Sequence, residues 1–225
     1  MSIARKVRTL RTPRMLASAF ALAFVVLAPA SASASPAESD AIRISTSGQR
    51  SLKWNWTPPG YTDRFGHSEV LINAPFDKVR AGVQDYAHYT TFAPKRFTAS
   101  RVVGRDGSDT KVYMEFSVLN GMVILSQVER FSAPRSIGND TEVVEGKFVE
   151  GKKVKDSRVL WTISKVDDNF TVLKCDILIK PDLPIQPPSS AIDEELRDAA
   201  QQAVDGVHRR AQGHDRAVKW APAKG

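Results

Sequence analysis

Residues 181–213 read PDLPIQPPSSAIDEELRDAAQQAVDGVHRRAQG, a proline-rich segment followed by an apolar stripe. The prolines exclude a regular helix or strand over residues 181–188. Ser190 followed by Asp193 predicts a start similar to a capping box, and Gly213 predicts the end of the helix. The stripe has the 3.6-residue spacing of one helix face and consists of Ile192, Leu196, Ala199, Ala200, Ala203, Val204 and Val207. The stretch therefore predicts a long C-terminal helix with an alanine-rich face.

The chain before this segment has a period of two in six stretches, which predicts strands. These strands cover residues 97–105, 111–119, 122–131, 141–150, 154–166 and 170–180. Residues 67–72 predict a further strand ahead of them. Between that strand and the six, Pro75 opens a short helix, and a second, aromatic-rich one ends before Pro94.

Two predicted hairpins set the register of the sheet. A two-residue loop at Asn120-Gly121 places on one face the pairs Val118/Val123, Phe116/Leu125, Met114/Gln127 and Val112/Glu129. A three-residue loop at residues 167–169 produces the wholly apolar pairs Ile163/Leu173, Trp161/Cys175 and Val159/Ile177. A two-residue loop there would mix polar and apolar residues, so the three-residue loop is favoured.

The first residues are typical of a targeting segment. Five basic residues precede residue 15, an apolar stretch covers residues 15–28, and small residues follow up to Ala34. This order predicts a secretory signal peptide over residues 1–34, cleaved after Ala32 or Ala34, and hence a periplasmic or secreted protein. The alternative is an uncleaved N-terminal anchor. After it we expect an N-terminal extension over residues 35–66, whose aromatic cluster WNWTPPGY packs onto the domain.

The signal peptide changes the meaning of the charge. The whole chain has 32 basic and 25 acidic residues, a formal charge of +7. Without the five basic residues at the start, 27 remain against 25 acidic residues, a formal charge of +2. Residues 67–212 carry 20 basic and 21 acidic residues. This near-neutral domain in an exported protein argues against nucleic acid as a partner.

The order of elements resembles the helix-grip fold of the START / Bet v 1 superfamily, which includes polyketide cyclase/dehydrase and coenzyme-Q-binding-like domains. The resemblance lies in residues 70–94 (VLINAPFDKVRAGVQDYAHYTTFAP), in Trp161-x-Ile163 followed by Thr171-x-Leu173, and in the proline-rich linker. It implies an α+β domain over residues 67–212, with a curved seven-stranded antiparallel sheet wrapped around the C-terminal helix and two short helices after the first strand. Residues 213–225 are expected to form a flexible tail.

The resemblance also implies a cavity between the sheet and the helix that binds a lipid, quinone or polyketide-like molecule. We expect an exported binding or carrier protein, monomeric and without a cofactor or metal. One alternative is an aromatase/cyclase-type enzyme that uses Glu129 as its acid/base group. A second is an interaction module without a cavity. The expected cavity-lining residues are Met114, Phe116, Leu125, Gln127, Glu129, Val144, Phe148, Trp161, Leu173, Cys175, Leu196, Ala200 and Ala203.

Glu129 is the most specific polar candidate for a functional residue, because the predicted register places it on a mainly apolar face. The favoured interpretation is that this face has reached the rim of the sheet, which leaves Glu129 in water. The alternative is an inward carboxylate that orients a polar ligand head or transfers protons, with Arg101 or Arg158 as a partner.

The lone cysteine and the basic run from Lys147 to Arg158 indicate no specific reaction. Cys175 is the one cysteine and is expected to be a buried small apolar residue, since no histidine lies near it in sequence. The basic run from Lys147 to Arg158 predicts a solvated hairpin, with weak contact to a membrane surface as the functional alternative. No catalytic or metal-binding motif is present in the sequence.

Overall fold

The computed structural model describes residues 34–92, 94, 96–119, 121–213 and 216–222. The chain separates into the units Met1–Ser33 and Ala34–Gly225, and all described residues belong to the second. The predicted signal peptide lies, apart from Ala34, outside the described residues, as does Asn120 of the predicted hairpin loop.

The described chain forms helices at both ends and strands between them. The helices are α1 (Pro36–Thr46), α2 (Phe76–Val83), α3 (Tyr89–Phe92) and α4 (Ser189–Gln212), with a 3-10 turn at Tyr86–His88 before α3. The strands are β1 (Ser51–Trp56), β2 (Phe65–Ile72), β3 (Phe97–Asp106), β4 (Asp109–Val118), β5 (Val123–Phe131), β6 (Arg135–Ser136), β7 (Thr141–Lys152), β8 (Val154–Lys165) and β9 (Thr171–Pro181).

The strands form one antiparallel sheet in the order β1-β2-β9-β8-β7-β5-β4-β3, and β6 pairs with β7. The curved sheet packs its inner face against α4, which confirms the predicted α+β helix-grip fold. All seven predicted strands are present. The sheet has nine strands because β1 and the short β6, which were not predicted, also pair with it.

Both predicted hairpin registers are confirmed. Residues of β4 and β5 pair as Val118/Val123, Phe116/Leu125, Met114/Gln127 and Val112/Glu129, and residues of β8 and β9 pair as Ile163/Leu173, Trp161/Cys175 and Val159/Ile177. The strands of the first hairpin stop one residue earlier than predicted on each side, because Leu119 takes a left-handed conformation with φ of 53°.

The start of α4 differs from its prediction. The helix begins at Ser189, Pro188 is its N-cap, and no side chain caps it. The capping-box prediction is therefore wrong: the helix starts early enough to place Ser190 within its first turn. The predicted end is confirmed, since Gly213 has φ of 80° and its N–H donates to the Arg209 carbonyl at 2.8 Å.

Two glycines let α4 lie in direct contact with its neighbours. A Cβ on Gly66 of β2 would stand 2.1 Å from the Leu196 carbonyl carbon, and one on Gly206 would stand 2.4 Å from Cβ of Phe92 in α3. The contact at Gly66 closes the space between α4 and β2, and the contact at Gly206 closes the space between α4 and α3. The residues buried there include Val70, Ile72, Leu173, Cys175, Ala200, Val204 and Val207.

The outer face of the sheet carries a second, smaller core. Helix α1 packs Ala41 and Ile44 against Leu71 and Val172, and Val218 and Trp220 of the expected tail pack there too. The expected N-terminal extension thus contributes α1 and the edge strand β1. Among the described helices, none combines the length and apolar character needed to cross a bilayer.

The aromatic cluster of the extension packs as predicted. The Trp54 ring lies 4.2 Å from the His67 ring, measured between centroids, and the Trp56 indole N–H donates to Asp176.

Candidate ligand-binding cavity

A cavity separates α4 from the part of the sheet formed by β4, β5, β8 and the C-terminal half of β9. The centre of a water molecule can occupy about 90 Å³ of this cavity. All of the space without protein atoms, including the part that is open to solvent, is about 1030 Å³. About 10–15 Å³ by the first measure holds one water molecule, so the space exceeds that of an ordinary packing defect. The predicted alternative of a module without a cavity therefore does not fit.

Eight of the thirteen predicted lining residues lie on the cavity wall. They are Met114, Phe116, Leu125, Gln127, Glu129, Trp161, Leu196 and Ala203. The other five are packed into the main core and do not line the cavity: Val144, Phe148, Leu173, Cys175 and Ala200. Leu173, Cys175 and Ala200 belong to the core near the place where α4 directly contacts β2.

Other parts of the wall come from α3 and the proline-rich linker, whose residues were not among the predicted lining residues. Tyr89 and Phe92 of α3 close the buried end, and Leu183 and Pro187 of the proline-rich linker line the opposite end. Apolar residues set among prolines, such as Leu183, are the one sequence signal that could have indicated a lining role for the linker.

The mouth of the cavity lies between the β4–β5 turn and the proline-rich linker, because the half-exposed lining residues are found there. They include Val118, Leu119, Leu183 and Pro187. Beside the mouth, Met122 is 79% exposed and Ile185 is 85% exposed. An ion pair borders the mouth as well: Arg96 contacts Glu195 of α4, and Glu195 also accepts a hydrogen bond from the Leu119 N–H at 3.1 Å.

Glu129 is completely buried, so the interpretation that it lies in water at the rim is wrong. Its Oε1 accepts hydrogen bonds from Gln127 Nε2 at 2.5 Å and from Ser157 Oγ at 2.6 Å. The proposed arginine partners are also wrong. The Arg101 guanidinium lies over the Tyr113 ring, and Arg158 pairs with Glu145.

Ser157 is a site residue that the sequence analysis missed. It lies four residues before Trp161 on β8 and therefore on the same, inner face of the sheet. The two-residue period of the strand, counted back from Trp161, could have indicated it.

Burial raises the pKa of Glu129 to about 7, with the hydrogen bonds from Ser157 and Gln127 opposing the rise and the charge of Asp156 adding to it. A carboxyl with this pKa is protonated in about half of the molecules at pH 7 and in most of them at about pH 6. Its second oxygen, Oε2, has no hydrogen-bond partner, and neither has Oε1 of Gln127. Both side chains line the cavity, whose walls are otherwise mainly apolar away from the ion pair at the mouth.

Other candidate groups are less suited to chemistry. Cys175 is buried, and burial raises the pKa of its thiol well above the usual value, which makes the thiol unreactive. His88 is largely exposed and pairs with Asp85 at 2.5 Å. Within the described residues, no group of three or more His, Cys, Asp or Glu side chains is placed to hold a metal ion.

A second cluster of titratable groups lies on the outer face of the sheet, away from the cavity. His67 Nδ1 is 2.7 Å from Asp176 Oδ1, and Arg43 of α1 pairs with Glu69. Burial alone lowers the pKa of His67, but hydrogen bonds to and the charges of Asp176 and Glu69 outweigh burial and raise it. This cluster joins α1 to β2 and β9.

No protein-family model matches the sequence, and no curated protein matches it either. Solved structures do match. A STAR-related lipid transfer protein from Xanthomonas axonopodis aligns with a TM-score of 0.60 and 15% identity, over 72% of this chain and 94% of that one. A START superfamily protein from Mycobacterium smegmatis aligns with a TM-score of 0.54 and 12% identity, over 65% and 96%.

Human StAR-related lipid transfer protein 5 aligns with a TM-score of 0.58 and 8% identity, over 73% of this chain and 83% of that one. At such identities the likeness concerns the fold. The element order and the sheet that surrounds α4 agree with it, and the chain has a helix-grip fold like that of these START structures.

Proposed function

We propose that this protein is an exported carrier that binds one hydrophobic or amphipathic small molecule in its cavity. The observation that carries the proposal is the apolar cavity between the sheet and α4. Phe116, Leu125 and Trp161 form its sheet side, and Ala199 and Ala203 form its helix side. The lipid transfer proteins of the same fold are consistent with this function.

The free energy of binding would come from apolar surface removed from water. Each Å² of apolar surface transferred from water is worth about 25 cal/mol. An apolar cavity also lacks the contacts that a filled core has, and a ligand restores them. The alanines at positions 199 and 203 leave room in the middle of α4 where larger residues would fill the space.

Export is the second part of the proposal, and its support is the order of basic, apolar and small residues over residues 1–34. Expression of the full chain in a bacterial host tests it. We expect the protein in the exported fraction with a new N-terminus after Ala32 or Ala34, read by mass spectrometry. An intact N-terminus on cytoplasmic protein would contradict export.

Loading and release of such a ligand would take place where the mouth meets a membrane. Met122 and Ile185 expose large apolar side chains on either side of the mouth, and Lys152 and Lys153 lie exposed on the neighbouring β7–β8 turn. The Lys153 carbonyl accepts a hydrogen bond from the Asp182 N–H at 2.7 Å, which holds this turn beside the linker. Lys147, Lys155 and Arg158 pair with acidic residues, so we expect these three charges to contribute little to attraction toward a membrane surface.

The carrier function is tested by the content of the cavity. Protein purified under native conditions is extracted with organic solvent, and the extract is analysed by mass spectrometry. We expect one class of apolar molecule near one equivalent per chain. The test variant is Ala203→Phe, which fills the cavity and should remove the ligand from the extract. The matched control is Ala217→Phe, the same change on the exposed C-terminal segment. Equal extracts from both variants would contradict the proposal.

An enzyme is the second candidate, supported by one observation. Glu129 has a pKa of about 7 and a free oxygen on the cavity wall, as a general acid/base requires. In that case Glu129→Gln abolishes turnover of the extracted molecule and leaves its binding intact. Turnover that survives this substitution would exclude Glu129 as the acid/base group, and absence of turnover in the wild type would exclude the enzyme.

A further inference from the structure

Among the described residues that line the cavity, three buried polar atoms have no hydrogen-bond partner: Oε2 of Glu129, Oε1 of Gln127 and Nε1 of Trp161. The first two belong to neighbouring side chains on β5, whose residues are 0% and 2% exposed. A buried polar group without a hydrogen bond destabilises a protein by about 1–3 kcal/mol. Two such groups side by side, on residues that line the same cavity, indicate a position that a ligand completes.

The hydrogen bonds already present decide what this position offers. Oε1 of Glu129 accepts from both Gln127 Nε2 and Ser157 Oγ, so a proton on the carboxyl occupies Oε2. Oε2 is then a donor. Nε2 of Gln127 is engaged, and its Oε1 is left as an acceptor without a partner, on a residue that lines the cavity. The Gln127–Glu129 pair thus presents one donor and one acceptor to the ligand.

We propose that the Gln127–Glu129 pair binds the polar head of the ligand, and that this head is a hydroxyl or an un-ionised carboxyl group. Such a head has an O–H to donate to Gln127 and an oxygen lone pair to accept from Glu129. The inference rests on the proposed carrier function and adds the ligand class and its orientation.

Other heads fit this pair less well. An ester or a phosphate brings only acceptors and leaves Oε1 of Gln127 unpaired. An ammonium head brings three donors to at most two acceptors and requires a buried ion pair, whose desolvation offsets its attraction. A single neutral O–H group satisfies both free atoms.

The position of the pair also sets the orientation of the ligand. Glu129 lies six residues along β5 from Val123, which begins the strand next to the turn at the mouth. At about 3.3 Å per residue, this places the pair about 20 Å from the turn. The ligand therefore enters head first, with its apolar chain along Leu125 and Phe116 toward the mouth.

The test compares ligands that share one chain and differ in their heads. Hexadecanol, methyl hexadecanoate and hexadecylamine are titrated into delipidated full-length protein at about pH 6, where Glu129 is protonated. We expect wild type to bind hexadecanol about tenfold more tightly than the ester.

Substitutions then assign this preference to the pair. Glu129→Met and Gln127→Met each keep the side-chain length and remove one polar partner, so the preference for hexadecanol falls to about twofold or less. Glu129→Gln keeps an N–H donor where Oε2 lies and retains the preference. The matched control is Glu115→Gln, the same change on the outer face of β4, which also retains it.

The outcomes separate this inference from the carrier function. Equal affinity of wild type for hexadecanol and the ester overturns the head position while the carrier function stands. Tighter binding of hexadecylamine than of hexadecanol overturns the neutral head class. If no ligand binds to folded wild-type protein, the carrier function fails and the inference fails with it. Loss of the preference in Glu115→Gln would show that the effect is not local and would overturn the inference.

Discussion

Helix α4 contacts two regions of one sheet in different ways. Over β2 it touches the sheet, with the backbone of Leu196 against Gly66. Over β4, β5, β8 and the C-terminal half of β9 a cavity lies between them, although the lining includes side chains as large as Phe116 and Trp161. A bent sheet cannot lie against a straight helix along its whole surface. The contact on one side therefore positions the helix, and the distance on the other side leaves room for a ligand.

The largest effect is expected where helix and sheet touch. Gly66→Ala places a Cβ against the Leu196 backbone, which cannot move without displacing α4. We expect a loss of about 4 kcal/mol or more in the free energy of unfolding, measured by urea denaturation.

Gly104→Ala in β3 is the control, because a Cβ there meets no atom within 4 Å. Its effect should stay within about 0.5 kcal/mol. A Gly66 variant as stable as this control would show that the contact does not position the helix.

Core truncations compare the two regions directly. Leu173 and Leu125 are both buried, but only Leu125 lines the cavity. We expect Leu173→Ala to cost about 4 kcal/mol and Leu125→Ala about 2.5 kcal/mol, since Leu125 has fewer contacts to lose. Denaturation of delipidated protein measures both values. Equal losses would mean that the cavity region is packed as tightly as the region under α4.

The carboxyl in the cavity region predicts a pH dependence. The pKa of Glu129 rises from 4.5 in the reference state to about 7 in the folded protein. The folded state thus binds the proton more tightly, and the free energy of unfolding falls by about 3 kcal/mol as the pH rises from 4.5 to 7. Glu129→Gln should remove this part of the fall. Denaturation curves at about pH 5 and pH 8 check it, and unchanged pH dependence in the variant would contradict a buried Glu129.

His67, on the outer face of the sheet, predicts a second and smaller fall in the free energy of unfolding, which begins above pH 6.5. The pKa of His67 is raised above 6.5 by its carboxylate neighbours, against the effect of burial. The stability it contributes is fully present below pH 6.5 and is lost as the pH rises through the folded-state pKa. The loss is expected to be smaller than that from Glu129, because burial and the carboxylates oppose each other. In His67→Gln this part of the decline should disappear. If Glu129→Gln removed it instead, the assignment to His67 would be wrong.

Much of the fold is predictable because strand pairing has a period of two. A slip of one residue at either hairpin would turn polar residues such as Lys174 toward the core, so one register is favoured from the sequence alone. The length of α4 follows in the same way from its apolar stripe and from Gly213. Both patterns are local along the chain.

The candidate site is less predictable because depth depends on distant segments. The register places Glu129 on the inner face, but α4 and the linker decide that it is buried, and Ser157 reaches it from a strand 28 residues away. Strand β1 was missed for a similar reason, since it pairs with β2 after a connection rich in proline and glycine.

The sequence by itself determined seven of the nine strands, the two hairpin registers, the long final helix and the faces of the paired strand residues, because these follow from local periodicity and turn residues. Only the tertiary structure decided where α4 touches the sheet and where a cavity remains. That outcome depends on backbone contacts at Gly66 and Gly206, between segments far apart in the chain. The burial of Glu129, and hence its raised pKa and its free oxygen, follows from the same packing.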